Sequence, residues 1–272
     1  MKLMSFTKNG VPGFGVVQGD SVADLSYKYP DLKGFLASGD SLVDGDLIAL
    51  SEIKFEPVIP NPSKIICVGV NYASHIAEMG REPGEYPLLF TRFANSQVGH
   101  NEPMLVPEES IKFDYEGELA VIIGEGGRKI SENNAVKAIA GYSCYNDGSI
   151  RDWQRHTSQF TAGKNFKATG GFGPWLVTKD EIEEPSNLEI ETRLNGEIMQ
   201  AAPISDLVFN IPKLIAYISA FTELEPGDVI ITGTTGGVGA ARKPPVWMKH
   251  GDKIEVQITK IGTLVNPIKD AN

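Results

Sequence analysis

The chain has 272 residues, 41% hydrophobic and 22% charged, a globular composition that excludes a disordered or fibrous protein and leaves room for one large core with a small appendage. Its formal net charge of −10, with no lysine or arginine cluster, argues against nucleic acid or an anionic membrane as partner and toward a small molecule. Met1 to Lys8 lacks the apolar stretch of a secretory signal and no run is long enough to span a bilayer, so a cytoplasmic location is expected.

In chain order, residues 1–56 alternate strand-like pieces (Lys2 to Thr7, Gly13 to Gln18, Val22 to Leu25) with two weak helical stretches, Asp31 to Ala37 and Leu42 to Leu50. They read as a small N-terminal subdomain. Pro57 to Ser63 holds three prolines in seven residues and marks a connection, after which a main domain runs from Lys64 to Asn272. Ile65 to Val70, Leu119 to Gly124, Gly141 to Asn146, Gly173 to Thr178, Leu188 to Asn195, Asp228 to Thr232 and Lys253 to Thr259 read as strands from their β-branched content and bounding turns. The clearest helix starts at Asn210, a good N-cap, with Pro212 in its first turn and Leu214, Ile215, Ile218 and Phe221 at helical spacing. Shorter helices fall around His75 and over Glu132 to Ile139. Few strands are separated by helices, so the pattern predicts an α+β, mainly antiparallel β domain with peripheral helices rather than a doubly wound parallel sheet. Cys67 and Cys144 lie inside apolar runs and read as inert core thiols.

Asp114-Tyr115-Glu116-Gly117-Glu118 places three carboxylates at alternate positions, on one face of an extended backbone. The run continues as Leu119 to Gly124, nearly all apolar, so the acidic end approaches a buried region. Buried like charges repel unless a cation pairs with them, which points to a divalent metal. Asp147, at the end of the apolar run Tyr142 to Asn146, is a candidate third ligand. An all-oxygen set favours Mg²⁺, Mn²⁺ or Ca²⁺ over zinc. Taken alone, the same pattern also suits a solvated acidic strand edge. Gly236-Gly237-Val238-Gly239 lacks the lysine and hydroxyl residue of a phosphate-binding loop and reads as a turn near the pocket mouth.

Longer motifs carry a family resemblance. Lys64-Ile65-Ile66-Cys67-Val68-Gly69-Val70-Asn71-Tyr72-Ala73-Ser74-His75-Ile76-Ala77-Glu78-Met79-Gly80, Phe113 to Gly124, Asn146-Asp147-Gly148-Ser149-Ile150-Arg151-Asp152-Trp153-Gln154, Gly163-Lys164-Asn165-Phe166, Leu224 to Thr234 and Gly251-Asp252 resemble, in order, the catalytic domain of the fumarylacetoacetate hydrolase superfamily. The likeness spans about residues 64–267. It implies that superfamily's mixed β-sandwich roll, or β-barrel-like, catalytic domain behind a small N-terminal subdomain, and by analogy a homodimer. It also implies that Glu116, Glu118 and Asp147 bind Mg²⁺ or Mn²⁺, with Asp114 in support, and that His75 and Glu78 on a mobile lid activate water. Lys164 would be catalytic, and Arg151, Gln154, Thr234 and Tyr72 would contact substrate.

The activity expected first is hydrolysis of a carbon–carbon bond in a 2,4-dioxo acid of the acylpyruvate or fumarylpyruvate type, through a stabilised enolate. The same chemistry serves a 2-oxo acid decarboxylase, a tautomerase or isomerase, or a dehydratase, and a non-enzymatic binding protein is the remaining alternative. The chain departs from the family pattern at Thr235, where proline usually follows Thr-Gly-Thr, and at Gly148-Ser149-Ile150, where Val-Ser-Ala is usual. It departs again at Arg92-Phe93, where lysine and proline are common. These positions border the expected pocket, so the substrate of better-known relatives does not transfer directly.

Overall fold

The computed structural model describes every residue except Leu42, Val43, Met79, Arg81, Pro83 and Asn272, and leaves the side chains of His75 and Glu78 undescribed. Strands β1 (Lys2–Lys8), β2 (Val11–Gln18) and β3 (Ser21–Asp24) pair antiparallel in succession. Asn9 and Gly10, both at positive φ, form the tight β1–β2 turn that matches strand twist. Helix α1 (Leu32–Ser38) starts where the Asp31 carboxylate accepts from the Gly34 N–H and stops at left-handed Gly39. The helix expected over Leu42 to Leu50 is instead β4 (Asp46–Ala49), which pairs with β3, followed by a short 3₁₀ turn; Leu42 and Val43 lie outside the described residues. Nine residues of mixed polarity fit either periodicity, and pairing to a preformed edge decides the outcome. Strand β5 (Lys54–Phe55) returns against β1.

The chain then forms β6 (Ile65–Gly69), α2 (Ala73–Glu78), β7 (Leu88–Arg92), β8 (Gln97–Val98), β9 (Met104–Val106), β10 (Phe113–Asp114) and β11 (Gly117–Ile123). Next come α3 (Glu132–Ala138), β12 (Ile139–Asp147), β13 (Ser149–Ile150), α4 (Arg151–Gln154), α5 (Thr161–Lys164), β14 (Gly170–Thr178), β15 (Glu189–Leu194) and β16 (Glu197–Pro203). Helix α6 (Ile211–Phe221) and strands β17 (Val229–Thr234), β18 (Lys253–Ile258) and β19 (Gly262–Asp270) complete the order. Among the described residues, twelve strands make one sheet in the order β4-β3-β2-β1-β14-β12-β11-β17-β6-β7, with β5 beside β1 and β8 beside β14. A second sheet has the order β16-β15-β18-β19-β9, and β10 pairs with β13. Most pairs are antiparallel; β6–β17, β8–β14 and β9–β19 are parallel. The fold is therefore α+β and mainly β.

Two features position the site. Strand β1 bonds to β14 at Lys2–Val177 and Leu3–Leu176, so the N-terminal residues continue the sheet of the main domain. The proline-rich connection packs into that junction, with Val58 and Ile59 fully buried and the Ser5 hydroxyl donating to the Val58 carbonyl (2.8 Å). Strand β11 lies deeper, between β12 and β17, and all seven of its residues are buried. Leu119, Val121 and Ile123 join an apolar cluster with Leu214, Ile215 and Ile218 of α6, whereas Ala120 and Ile122 pack on the opposite face with Leu3, Phe14 and Phe35. A strand covered on both faces needs a continuous apolar run, which is what the sequence supplies. Cys67 and Cys144 are free thiols in this core, and burial pushes both thiols up. Among the described residues no helix is long and apolar enough to cross a membrane.

His100 reports on the β1–β14 region. Its Nδ1 accepts from the Val265 N–H (3.1 Å), its ring meets Phe55 edge-on at 4.8 Å, and burial pushes its pKa down to about 4. In the unfolded chain the ring titrates near ~6.5. Between those values the unfolded state holds the extra proton, so lowering the pH from about 6.5 to 4 removes on the order of 2 kcal/mol of stability through this group. His100→Gln, which keeps an acceptor for Val265, is expected to flatten that part of the stability profile in urea titrations. Parallel profiles for the two proteins would refute the assignment.

Candidate active site

Strands β11 and β12 run antiparallel with Gly117 opposite Asn146 and Glu118 opposite Tyr145. One residue earlier, the Asp147 N–H donates to the Glu116 carbonyl (2.8 Å), which sets Asp147 beside Glu116. Glu116 and Glu118 alternate to the same face, so the register itself gathers the three carboxylates. One oxygen from each lies within 4.8 Å of the others, and all three residues are buried. Gly117 separates the glutamates because a Cβ there would run into the Thr192 hydroxyl.

Three cations converge on this group. Lys164 Nζ contacts Glu116 Oε2 and Asp147 Oδ2, the latter at 2.6 Å. Arg92 Nη1 donates to Asp147 Oδ1 (2.6 Å) and to the Gly148 carbonyl (3.0 Å), while its other nitrogens reach Ser96 and Thr169. Arg151 pairs through Nη2 with Glu116 Oε1 (2.7 Å) and through Nε with Asp114 Oδ2 (2.7 Å). Burial alone disfavours the Lys164 ammonium, but Asp147 and Glu116 outweigh it and hold its pKa above the ordinary lysine value. Lys164 reaches the site because α5 packs tightly on α4: a Cβ on Gly163 would strike the backbone of Gln154.

Glu118 differs from its neighbours. It accepts one N–H, from Gly233 (2.6 Å), and forms no ion pair with a described residue, although it is 2% exposed. Burial, followed by repulsion from Asp147 and Glu116, pushes its pKa well above the usual carboxylate range. A desolvated carboxylate with a single donor, beside two further carboxylates, suits a hard cation. The oxygens of Asp147 keep lone pairs beyond those used by Lys164 and Arg92. The donor set therefore fits Mg²⁺ or Mn²⁺, and it is the one such group of three among the described residues.

Glu116, Glu118 and Lys164 open onto a cavity of about 400 Å³, lined also by Val68, Val70, Phe90, Phe160, Arg151, Gln154, Arg155 and Thr234. A larger cleft of about 680 Å³ between α1 and Gly124 to Gly126 is remote from these groups. Of the expected substrate contacts, Arg151, Gln154 and Thr234 line the smaller cavity; the Arg151 guanidinium donates to Gln154 Oε1 (3.0 Å). The Thr234 hydroxyl is already engaged, donating to the Gly117 carbonyl (3.0 Å) and accepting from Gln200 Nε2 (2.8 Å). Tyr72 is set apart from the cavity wall. Its backbone bridges to Leu207, its ring sits fully buried in the apolar cluster around Leu119 and Val68, and its hydroxyl has no partner among the described residues. His75 and Glu78 fall on α2 at i, i+3, but their side chains lie outside the described part of the structure. The α2 entrance is anchored by the Ser74 N–H and hydroxyl to Asp206, and by Asn71, which bonds Phe209 and the Thr232 carbonyl.

Asp114 has a supporting place. It accepts from the backbone N–H groups of Tyr115, Gly239 and Ala240 and from Arg151, tying the glycine-rich turn to the cavity wall. Sequence reading missed Arg92 and Gln200. Arg92 is 3% exposed, and the only signal was its place where the family carries lysine. Gln200 is 2% exposed and bonds the Gly117 N–H and Thr234, with no motif to mark it.

A mainly β fold with a buried carboxylate triad that could hold a metal ion, beside a cation-lined cavity, defines a class of enzyme acting on small oxo acids. Residues 64–269 match the model of the fumarylacetoacetate (FAA) hydrolase C-terminal domain, and the chain belongs to this family. It is 45% identical to an oxaloacetate tautomerase of Bacillus subtilis over 82% of this chain and 75% of that one. It is 38% identical to a mitochondrial oxaloacetate tautomerase of Xenopus laevis over 98% of this chain and 90% of that one. Among solved structures, a maleylpyruvate hydrolase from Sphingobium sp. SYK-6 in complex with manganese(II) and pyruvate superposes with a TM-score of 0.83 at 26% identity, covering 100% of both chains.

Proposed function

We propose that the protein interconverts the keto and enol forms of a small 2-oxo acid, with oxaloacetate as substrate, at the site formed by Glu116, Glu118, Asp147 and Lys164. The observation that carries this reading is the buried carboxylate triad opening, beside Lys164, onto a cavity of small-molecule size. Tautomerisation asks less of such a site than carbon–carbon hydrolysis, which also needs a positioned water. The extent of similarity to two tautomerases supports the simpler reaction over the hydrolysis expected from the motifs.

Glu116, Glu118 and Asp147 would hold Mg²⁺ or Mn²⁺, which supplies Lewis-acid polarisation of the substrate carbonyl. The remaining work falls to the side chains. His75, oriented by Glu78 one helical turn away, takes the proton from C3; the electron pair of that C–H bond becomes the C2–C3 double bond, the C2=O π pair moves onto the oxygen, and the His75 imidazolium returns the proton there. Lys164 offsets negative charge as it develops on that oxygen. With Gln154 Oε1 occupied by Arg151, the Gln154 amide nitrogen is left to donate to a substrate oxygen. Thr234 shapes the wall.

The test follows decay of the oxaloacetate enol absorbance with Mg²⁺ or Mn²⁺. Wild-type protein is expected to accelerate it, and His75→Ala to lose at least about 10²-fold while Mn²⁺ still protects the variant against heat. Undiminished turnover in the variant removes His75 from the reaction. The full-length likeness to a maleylpyruvate hydrolase favours a second reading, hydrolysis of a 2,4-dioxo acid. Release of pyruvate plus a second carboxylic acid from an acylpyruvate, with no acceleration of enol decay, would replace the first reading by the second. Carbon dioxide release from oxaloacetate would indicate a decarboxylase.

A further inference from the structure

The cavity carries a cation that the chemistry above does not use. Arg155 closes α4 with near-helical backbone angles (φ −102°, ψ 5°), its N–H bonded to the Asp152 carbonyl (3.0 Å). It stands four residues beyond Arg151, is exposed, and lines the same cavity as Arg151. Arg151 and Lys164, the other two cations of the wall, are already paired with carboxylates. Arg155 also lines the cavity, yet its guanidinium makes no ion pair or hydrogen bond with a described residue. The apolar part of the lining includes Phe90 and Phe160, edge-to-face at 5.6 Å.

We infer that Arg155 receives the distal carboxylate of a dicarboxylic substrate and so selects four-carbon 2-oxo diacids over monoacids. This rests on the 2-oxo acid reading of the site. With the 2-oxo carboxylate end placed at the triad, where Arg151 meets Glu116, one helical turn separates that end from Arg155. A four-carbon diacid spans such a gap. A monoacid with an apolar tail would turn toward Phe90 and Phe160 instead and leave Arg155 without a partner. A guanidinium suits the role because it offers a planar fork of donors to a carboxylate.

The experiment measures binding of malate and lactate, non-reacting 2-hydroxy analogues with and without the distal carboxylate, to the Mn²⁺-loaded protein by calorimetry. Wild type, Arg155→Met and Arg155→Lys are compared, and KM and kcat for oxaloacetate interconversion are taken on the same samples. Wild type is expected to prefer malate. Arg155→Met should weaken malate about tenfold and raise KM similarly, leaving lactate affinity and kcat little changed, with partial recovery in Arg155→Lys. Equal malate affinity in wild type and Arg155→Met, or no preference for malate in wild type, overturns the assignment. Because binding needs no turnover, malate selectivity that depends on Arg155 in a protein inactive on oxaloacetate would sink the tautomerase reading and leave this one standing.

Discussion

Asp147→Asn is expected to destabilise the metal-free protein by about 3–5 kcal/mol and to abolish activity. Asp147 is fully buried and holds two cations, Arg92 at 2.6 Å and Lys164 at 2.6 Å, whose side chains are themselves 0% and 1% exposed. An amide supplies no charge to either, and its NH₂ group faces donors on at least one side. Two desolvated cations then lack part of their compensation, which is the costly way to break a buried ion pair. Urea unfolding in the presence of a chelator isolates this effect. A variant as stable as wild type would mean that Arg92 and Lys164 do not depend on Asp147.

Glu118→Gln is expected to act in the opposite sense on the same metal-free protein, leaving stability unchanged or raising it. Glu118 has no ion-pair partner among the described residues and faces two other carboxylates; glutamine keeps an acceptor for the Gly233 N–H and removes one buried like charge. Its loss shows in function. Mn²⁺ at about a hundred times its dissociation constant should stabilise wild type by about 2.7 kcal/mol, and that increment should vanish in Glu118→Gln. Turnover should fall on the order of 10³-fold, corresponding to several kcal/mol of lost Lewis-acid assistance. Undiminished stabilisation by Mn²⁺ in this variant would remove Glu118 from the ligand set. The opposed signs at Asp147 and Glu118 separate the cation-bracing role of one carboxylate from the repulsion felt by the other.

Those carboxylates were partly legible in the sequence: each sits where an apolar strand begins or ends, a pattern that also suited a solvated strand edge, and the family motifs decided for Glu116, Glu118 and Asp147. Lys164 was legible only through its motif. Arg92 was not, since nothing within several residues of Thr91-Arg92-Phe93 announces a partner 55 residues away, which the pairing of β6 with β7 and of β12 with β14 supplies. Tyr72 precedes α2, and its ring is fully buried in the apolar cluster, where burial first and then Glu118 push its phenol up. For the fold, long apolar strands and the capped α6 were readable one element at a time. The join between β1 and β14 depends on residues about 170 positions apart and on no local signal.

The bracing of Glu116 and Asp147 by Lys164, Arg92 and Arg151 bears on ion selectivity. Side chains clamped from β7, α4 and α5 have little freedom to spread apart, so the cage is stiff before any ion arrives. Stiff oxygen cages favour the shorter bonds of a small ion, near 2.1 Å for Mg²⁺, over the 2.3–2.6 Å that Ca²⁺ prefers. Size discrimination among hard cations would thus be set by three basic residues that never touch the ion.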